Sequence, residues 1–288
     1  MKNIFTKAAM LLAVAATAFT FTACDDNDDN GDGKKPFESE LIGSYVPRVN
    51  TEAYDFGFFL STEWNEKGAP SLPLNGDPKN PIGWELIEMM LPQMVGVYYA
   101  QGLAGLDLLD DGRVGVKYRS VTLENGLTDI FNPTFGKEIL SFPDAETLPM
   151  VPADAVTYYT QDGKLYLAVS KEFLSKVDPG TLGAPIVSMI DEMISQYKLG
   201  LVSNKDIFAI PLKYTVEGDM LTLYVDRGMI LPFKGLLVDL IGQLVPDEGV
   251  SMGEEMAIAK ADIVKFVADI FDNSTKFELG IKLTKQAK

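Results

Sequence analysis

One hairpin decides the kind of fold: residues 208–225 read FAIPLKYTVEGDMLTLYV. Apolar side chains occupy every second position on both sides of a Glu-Gly-Asp turn, namely Phe208, Ile210, Leu212, Tyr214 and Val216 before it and Leu221, Leu223 and Val225 after it. A period of two is typical of a strand with one buried face, and a glycine between two such runs favours a tight turn. The stretch therefore predicts two antiparallel strands.

The same pattern recurs along the chain. Apolar runs flank Asp110-Asp111-Gly112 and Asp162-Gly163, and further alternating runs cover residues 41–46, 54–60 and 277–283. Together these runs predict about nine strands, mainly antiparallel. Hairpins in series remove their exposed edges most simply by curling or closing. The expected fold class is therefore α+β, with a curved sheet or a β-barrel built of hairpins.

Helical patterns interrupt the strands. Residues 84–99, with Pro92 inside, and residues 186–197 each carry apolar side chains at helical spacing. Ser251-Met252-Gly253-Glu254 is a capping-box pattern, which predicts a helix that begins there and continues past Ile263. We expect these segments to be amphipathic helices inserted between the hairpins, where they could cap the interior of the sheet.

The segment Ile230–Val245 is apolar on nearly all sides. Its only charged or amide side chains are Lys234, Asp239 and Gln243. Such a helix must be buried or must face another apolar partner, and it is too short to be a good membrane span. Three interpretations stay open: a central core helix, a lid over an apolar cavity, or a docking face for a partner chain.

The N-terminus carries the features of an export signal. Lys2 and Lys7 precede the apolar run Ala8–Thr20, which is followed by Phe21-Thr22-Ala23-Cys24. Small residues before a lone cysteine resemble a bacterial lipobox. The resemblance implies that residues 1–23 are a lipoprotein signal peptide and that Cys24 is acylated and anchors the chain in a membrane.

Residues 24–36 form a polar, acidic segment with the features of a flexible tether. Four aspartates, Asp25, Asp26, Asp28 and Asp29, follow the cysteine directly. This acidic run resembles the surface-export signal of Bacteroidetes-type surface lipoproteins, which implies an outer-membrane, cell-surface location. A calcium loop is a weaker reading of Asp26 to Gly31, because Phe37 occupies the position of the bidentate Glu that such a loop requires.

Composition excludes several function classes. The chain has no histidine, a single cysteine and a net charge of −16. Nucleic-acid binding needs basic patches, so we expect no nucleic-acid partner. Without histidine or a free thiol, His-dependent triads and His-ligated metals are absent as well. No catalytic constellation stands out, so the sequence predicts that the protein is not an enzyme and has no cofactor or metal site.

The first strand opens with Gly43-Ser44-Tyr45. This motif resembles the Gly-x-Trp of lipocalin-like barrels, with tyrosine in the place of tryptophan. Over residues 24–288 the chain is similar to lipocalin-like (calycin-like) Bacteroidetes lipoproteins of unassigned function. The resemblance implies that residues 37–288 form a single lipocalin-like domain with helical insertions and a ligand-binding role.

Two function classes compete. The first is binding of an apolar small molecule or a partner through the curved sheet and its helices. Methionine suits such a site because it adapts to varied apolar shapes. The candidate residues are Met90, Met94, Tyr98, Met189, Met193, Leu236 and Leu240. The alternative is a glycan-binding protein with exposed aromatic platforms, for which the candidates are Trp64, Trp84, Tyr98, Tyr99, Tyr158 and Tyr159. The sequence identifies no protein partner and no oligomeric state.

Overall fold

The computed structural model describes residues 37–122, 133–143, 152, 154–176, 186–251 and 257–287. These residues form a mixed α+β fold dominated by one large antiparallel sheet, which confirms the predicted class. The predicted signal peptide, the acidic tether with its calcium-like motif, and Cys24 lie outside the described residues.

The strands are short and follow one another closely. Numbered along the described chain, they are β1 Gly43–Pro47, β2 Phe58–Trp64, β3 Ser71–Leu74, β4 Asp77–Gly83, β5 Leu103–Leu108, β6 Val114–Tyr118, β7 Val121–Thr122, β8 Thr134–Phe135, β9 Leu140–Phe142, β10 Val156–Gln161, β11 Lys164–Ser170, β12 Val202–Ser203, β13 Ile207–Glu217, β14 Met220–Asp226, β15 Val250–Ser251, β16 Ala257–Ile258 and β17 Ser274–Lys285.

Six α-helices are described. They are α1 Trp84–Gly102, α2 Lys171–Lys176, α3 Ile186–Tyr197, α4 Arg227–Ile230, α5 Lys234–Leu244 and α6 Lys260–Asn273. Short 3-10 turns cover Ser39–Leu41 and Leu231–Phe233. The helices predicted over residues 84–99 and 186–197 are confirmed, and Pro92 lies inside α1.

The large sheet contains eleven strands in the order β10-β11-β13-β14-β17-β1-β5-β6-β9, with β12 paired to β13 and β2 paired to β17. The sheet is not closed. It does curve, because an isolated bridge joins Arg113 to Thr157 and the Tyr158 N–H donates to the Gly112 carbonyl oxygen over 2.7 Å. These contacts bring β10, at one end of the strand order, next to the turn between β5 and β6.

All three predicted hairpins are confirmed. Strands β5 and β6, β10 and β11, and β13 and β14 pair antiparallel as the sequence indicated. Each turn contains a glycine with positive φ: 85° at Gly112, 69° at Gly163 and 65° at Gly218. A side chain is strained at such angles, so the glycines explain where the chain reverses.

Three boundaries differ from the prediction. Strand β1 begins at Gly43 and not at residue 41, and β2 begins at Phe58 and not at residue 54. Between them, residues 48–57 leave the sheet. Both strands nevertheless pair with β17: Pro47 at the end of β1 lies opposite Leu283, and Phe58 at the start of β2 lies opposite Ile281. The capping box at Ser251 is wrong: Ser251 pairs with Ala257 in a two-stranded ribbon, and α6 begins only at Lys260.

One face of the curved sheet carries the main core. Eight of its most deeply buried large side chains come from seven strands: Tyr45, Leu108, Val114, Val156, Tyr158, Leu165, Leu221 and Leu283. A second cluster unites Leu60, Trp84 and Phe266 from β2, α1 and α6, and Trp64 packs against it. The two tryptophan rings are 5.0 Å apart and nearly perpendicular.

Helix α1 covers a strand edge that would otherwise be free. The Thr62 N–H in β2 donates to the Glu88 carboxylate at 3.1 Å, and the Thr62 hydroxyl donates to the same oxygen at 2.8 Å. The Trp84 indole N–H donates to the Thr62 hydroxyl at 2.9 Å. A side chain of the helix thus satisfies backbone hydrogen bonding at the edge of the sheet.

Candidate functional site

The two ends of the curved sheet differ. Antiparallel order puts the turns of the three hairpins at one end, which we call the turn end. At the opposite, helical end, β11 runs into α2 and β14 runs into α4, while α1 leads into β5 and α6 leads into β17. The longer insertions, which contain these helices, therefore lie at the helical end of the sheet.

The turn end is closed by the first described residues of the chain. Phe37 packs on Tyr158 with ring centroids 4.8 Å apart, and Leu41 is fully buried. The Tyr45 hydroxyl donates to the Leu41 carbonyl oxygen at 2.9 Å, and the Tyr158 hydroxyl donates to the Leu109 carbonyl oxygen at 2.8 Å. Burial raises the pKa of Tyr45 to about 12, so this phenol keeps its proton and donates.

Along β11, β14 and β17, burial of the inward-facing side chains decreases towards the helical end. Along β11, the exposed fraction rises from 0% at Leu165 through 3% at Leu167 to 6% at Val169. In β17, Leu283 is fully buried, whereas Ile281 and Leu279 are only half-buried although they pack against the same core. Along β10 and β13 the order differs, because Val156 at the helical end is 2% exposed, whereas Tyr214 and Val216 near the turn are half-buried.

Six half-buried side chains surround the helical end of the core. They form three pairs, one at each junction between a helix and a strand, and we call them the mouth cluster: Tyr99 and Leu103, Phe173 and Leu174, Met229 and Ile230. Phe142 of β9 lies beside Phe173, with ring centroids 5.6 Å apart. The cluster is uncharged, and apolar except for the Tyr99 hydroxyl.

The Tyr99 hydroxyl has an unusual environment. Its oxygen is buried and has no hydrogen-bond partner among the described residues. Burial raises the pKa of Tyr99 far above its usual value, so the phenol is neutral. The adjacent Tyr98 lies towards Phe135, at 6.4 Å between ring centroids. The helical pattern selected Tyr98 as the ligand-binding candidate, whereas it is Tyr99 that packs against the main core.

The seven predicted ligand-binding residues belong to two groups and not to one pocket. Met90, Met94 and Tyr98 lie on α1, which packs on β2, β4 and β5, and Met90 is 52% exposed. The other four are half-buried on α3 and α5, which contact each other: Met189, Met193, Leu236 and Leu240. The Tyr197 hydroxyl of α3 donates to Asp239 of α5 at 2.9 Å.

The segment Ile230–Val245 is not a central core helix, so that interpretation is wrong. It divides into the end of α4, a 3-10 turn that contains Pro232, and α5, and none of these three elements contains a fully buried residue. The core is already filled by side chains from the strands, which leaves α5 to lie outside it. The lid and docking interpretations stay open.

A polar cluster fastens α3 to the sheet. The Lys171 ammonium donates to Asp191 at 3.0 Å and to the Ser203 hydroxyl at 2.8 Å, and that hydroxyl donates to Asp191 at 2.6 Å. Ser–Lys nucleophilic chemistry needs a neutral amine that accepts the serine proton. Here the Ser203 hydroxyl donates its hydrogen bond to the Asp191 carboxylate, which also pairs with Lys171, so the cluster serves as a structural tie.

Other features add little to a site. Two open clefts have volumes of about 390 and 400 Å³. The first lies between residues 67–71 and α6, and the second lies along β6 and includes Phe142, the neighbour of Phe173. Within the described residues, no group of three acidic, histidine or cysteine side chains could hold a metal ion. Two of the six glycan-platform candidates, Trp84 and Tyr158, are buried.

Among the described helices, none is both long and apolar enough to cross a bilayer. Comparisons with family models, curated proteins and solved structures find no match.

Proposed function

We propose that this protein is a cell-surface lipoprotein that binds an apolar small molecule at the helical end of its sheet. The observation that carries the proposal is the decrease in burial towards the helical end along β11, β14 and β17, where the mouth cluster stays half-buried. Large apolar side chains that face inward yet remain accessible are typical of binding sites for apolar ligands.

We propose further that the sheet is a lipocalin-like barrel. Two features support this: the bridge between Arg113 and Thr157, and a main core shared by strands from both ends of the strand order. The closed turn end leaves the helical end as the entrance. Helix α3 has an apolar face and α5 is apolar on nearly all sides. Because the two helices contact each other, they are suited to act as a lid over that entrance.

The location belongs to the same proposal. The lipobox-like residues 21–24 and the acidic run after them support an acylated Cys24 and display on the outer membrane. An anchor at the start of the tether would leave the domain free in the aqueous phase, where an apolar ligand needs a carrier. A glycan ligand remains a prediction without structural support at the mouth cluster.

Titration of the purified protein with N-phenyl-1-naphthylamine, a neutral fluorescent apolar probe, tests the proposal. We expect saturable binding that Met229→Gln weakens about tenfold, because a polar group of similar size replaces an apolar one at a loss of about 1.4 kcal/mol. The matched control is Met89→Gln, since Met89 is exposed on α1. Absence of saturable binding, or equal binding by both variants, would refute the site.

A further inference from the structure

Two core tyrosines differ in how their hydroxyls are satisfied. Tyr158, at the turn end, donates to the Leu109 carbonyl oxygen at 2.8 Å. Tyr99, at the helical end, has a buried hydroxyl with no partner among the described residues. A buried hydroxyl without a hydrogen bond destabilises a fold, and such groups in native proteins need an explanation. Phenylalanine would fill the same space at Tyr99 without that cost.

The surroundings of Tyr99 restrict what could bind its hydroxyl. The mouth cluster itself carries no charge. Among the described residues, the cations that we find beside it are engaged: Lys171 binds Asp191 and Ser203, and the Arg227 guanidinium donates to the Phe271 carbonyl oxygen at 3.1 Å and to the Ser274 hydroxyl at 3.3 Å. The Arg119 guanidinium donates to the Gln101 carbonyl oxygen at 2.9 Å. A charged head group would lose its hydration there without gaining a counter-ion.

We propose that the Tyr99 hydroxyl forms a hydrogen bond with the uncharged polar head of an amphiphile whose hydrocarbon chain lies against the mouth cluster. The inference rests on the proposed function and narrows its ligand class. The ligand is an alcohol, ester, ketone or amide with an apolar chain, and not a fatty-acid anion or a pure hydrocarbon. The phenol can donate to a carbonyl or hydroxyl oxygen or accept from a hydroxyl, so both kinds of head group fit.

The experiment measures displacement of N-phenyl-1-naphthylamine by 1-octanol, octane and octanoate at pH 8, for the wild-type protein and for Tyr99→Phe. We expect the variant to bind 1-octanol about 5- to 10-fold more weakly, which is the range for one lost neutral hydrogen bond. Octane should bind the variant and the wild type equally. Octanoate should bind both proteins more weakly than 1-octanol does.

The matched control is Tyr158→Phe, which removes a hydroxyl from the same core at the turn end. It should lower the melting temperature, because the Leu109 carbonyl oxygen loses the shorter of its two hydrogen bonds and keeps only that from the Gly112 N–H at 3.2 Å. It should leave the ratio of 1-octanol to octane affinity unchanged. Tyr99→Phe should keep or raise the melting temperature of the free protein, since it removes an unsatisfied group.

Three results would overturn the inference. Equal binding of 1-octanol by wild type and Tyr99→Phe, with octane also bound, would refute the role of the hydroxyl while leaving the proposed function standing. A melting temperature lowered by Tyr99→Phe as much as by Tyr158→Phe would mean that the hydroxyl is satisfied within the free protein. No displacement by any of the three probes would refute the inference together with the proposed function.

Discussion

Replacing Leu240 with alanine tests whether α5 is a lid or part of the core. Leu240 is half-buried in a helix that has no fully buried residue. The matched variant is Leu221→Ala, whose side chain is fully buried in β14 at the centre of the main core. Both substitutions remove the same atoms, so the difference between them reports the burial of the two sites.

The structure sets the expected magnitudes. A fully buried leucine costs about 2–5 kcal/mol when it is truncated, because lost transfer free energy and a cavity add together. A half-buried leucine leaves no closed cavity and removes less area from water, so we expect about 1 kcal/mol for Leu240→Ala. For a domain of this size, that is a decrease of about 2–4 °C in melting temperature, against about 4–20 °C for Leu221→Ala.

Thermal and urea unfolding would be followed by far-UV circular dichroism and by tryptophan fluorescence. The chain has two tryptophans, and both belong to the cluster between β2, α1 and α6. Fluorescence therefore reports that cluster, while circular dichroism reports the whole fold. A loss of 3 kcal/mol or more for Leu240→Ala, equal to that of Leu221→Ala, would refute our placement of α5 outside the core.

Three further predictions address the anchor, its signal and the covered edge. Cys24→Ser should release the protein from membranes in detergent phase separation, and a variant that still partitions with detergent would contradict the lipobox. Replacing the four aspartates of the tether with alanine should keep the lipid but protect the protein from protease added to intact cells; unchanged cleavage would show that the run is only a spacer. Glu88→Leu should lower the free energy of unfolding by about 1–3 kcal/mol, because the Thr62 N–H loses its acceptor, while Glu85→Leu, at an exposed position of the same helix, should change it little in the same urea titration.

Local signals in the sequence were enough to predict the hairpins. A period of two and a glycine turn are properties of neighbouring residues, so β5–β6, β10–β11 and β13–β14 could be identified without the structure. Pairing between distant segments left no such signal. Strand β17 lies between β14 and β1, and residues 48–57 interrupt a ladder that β1 and β2 share. Ser251 shows the converse failure, because a capping motif is overridden when its backbone pairs with Ala257.

The candidate site was predictable only in its chemistry. Apolar helices inserted between strands indicated that methionine and aromatic side chains would surround the interior of the sheet. They did not indicate which helices meet at which end of the sheet. Adjacent residues of a helix point about 100° apart, and the apolar pattern selected Tyr98 as the ligand-binding candidate. The fold instead turns Tyr98 towards Phe135 and buries the hydroxyl of Tyr99. Lys171, Asp191 and Ser203 come together from α2, α3 and β12 without any motif.

The half-buried helices at the helical end link stability to binding. A segment as apolar as Ile230–Val245 loses part of its stabilisation when it stays accessible to water, and the main core, complete without it, offers no further burial. A ligand that lies beneath α3 and α5 would bury that surface in the native state alone, so it would raise the free energy of unfolding by about 2.7 kcal/mol at a concentration of 100 times its Kd.

If α5 instead docks a protein partner, 1-octanol will leave the melting temperature unchanged and the exposed apolar face will drive self-association at high protein concentration. Thermal unfolding with and without 1-octanol, combined with sedimentation of the free protein, therefore separates the lid from the docking face: a ligand-dependent rise with a monomer supports the lid, and a constant melting temperature with concentration-dependent association contradicts it.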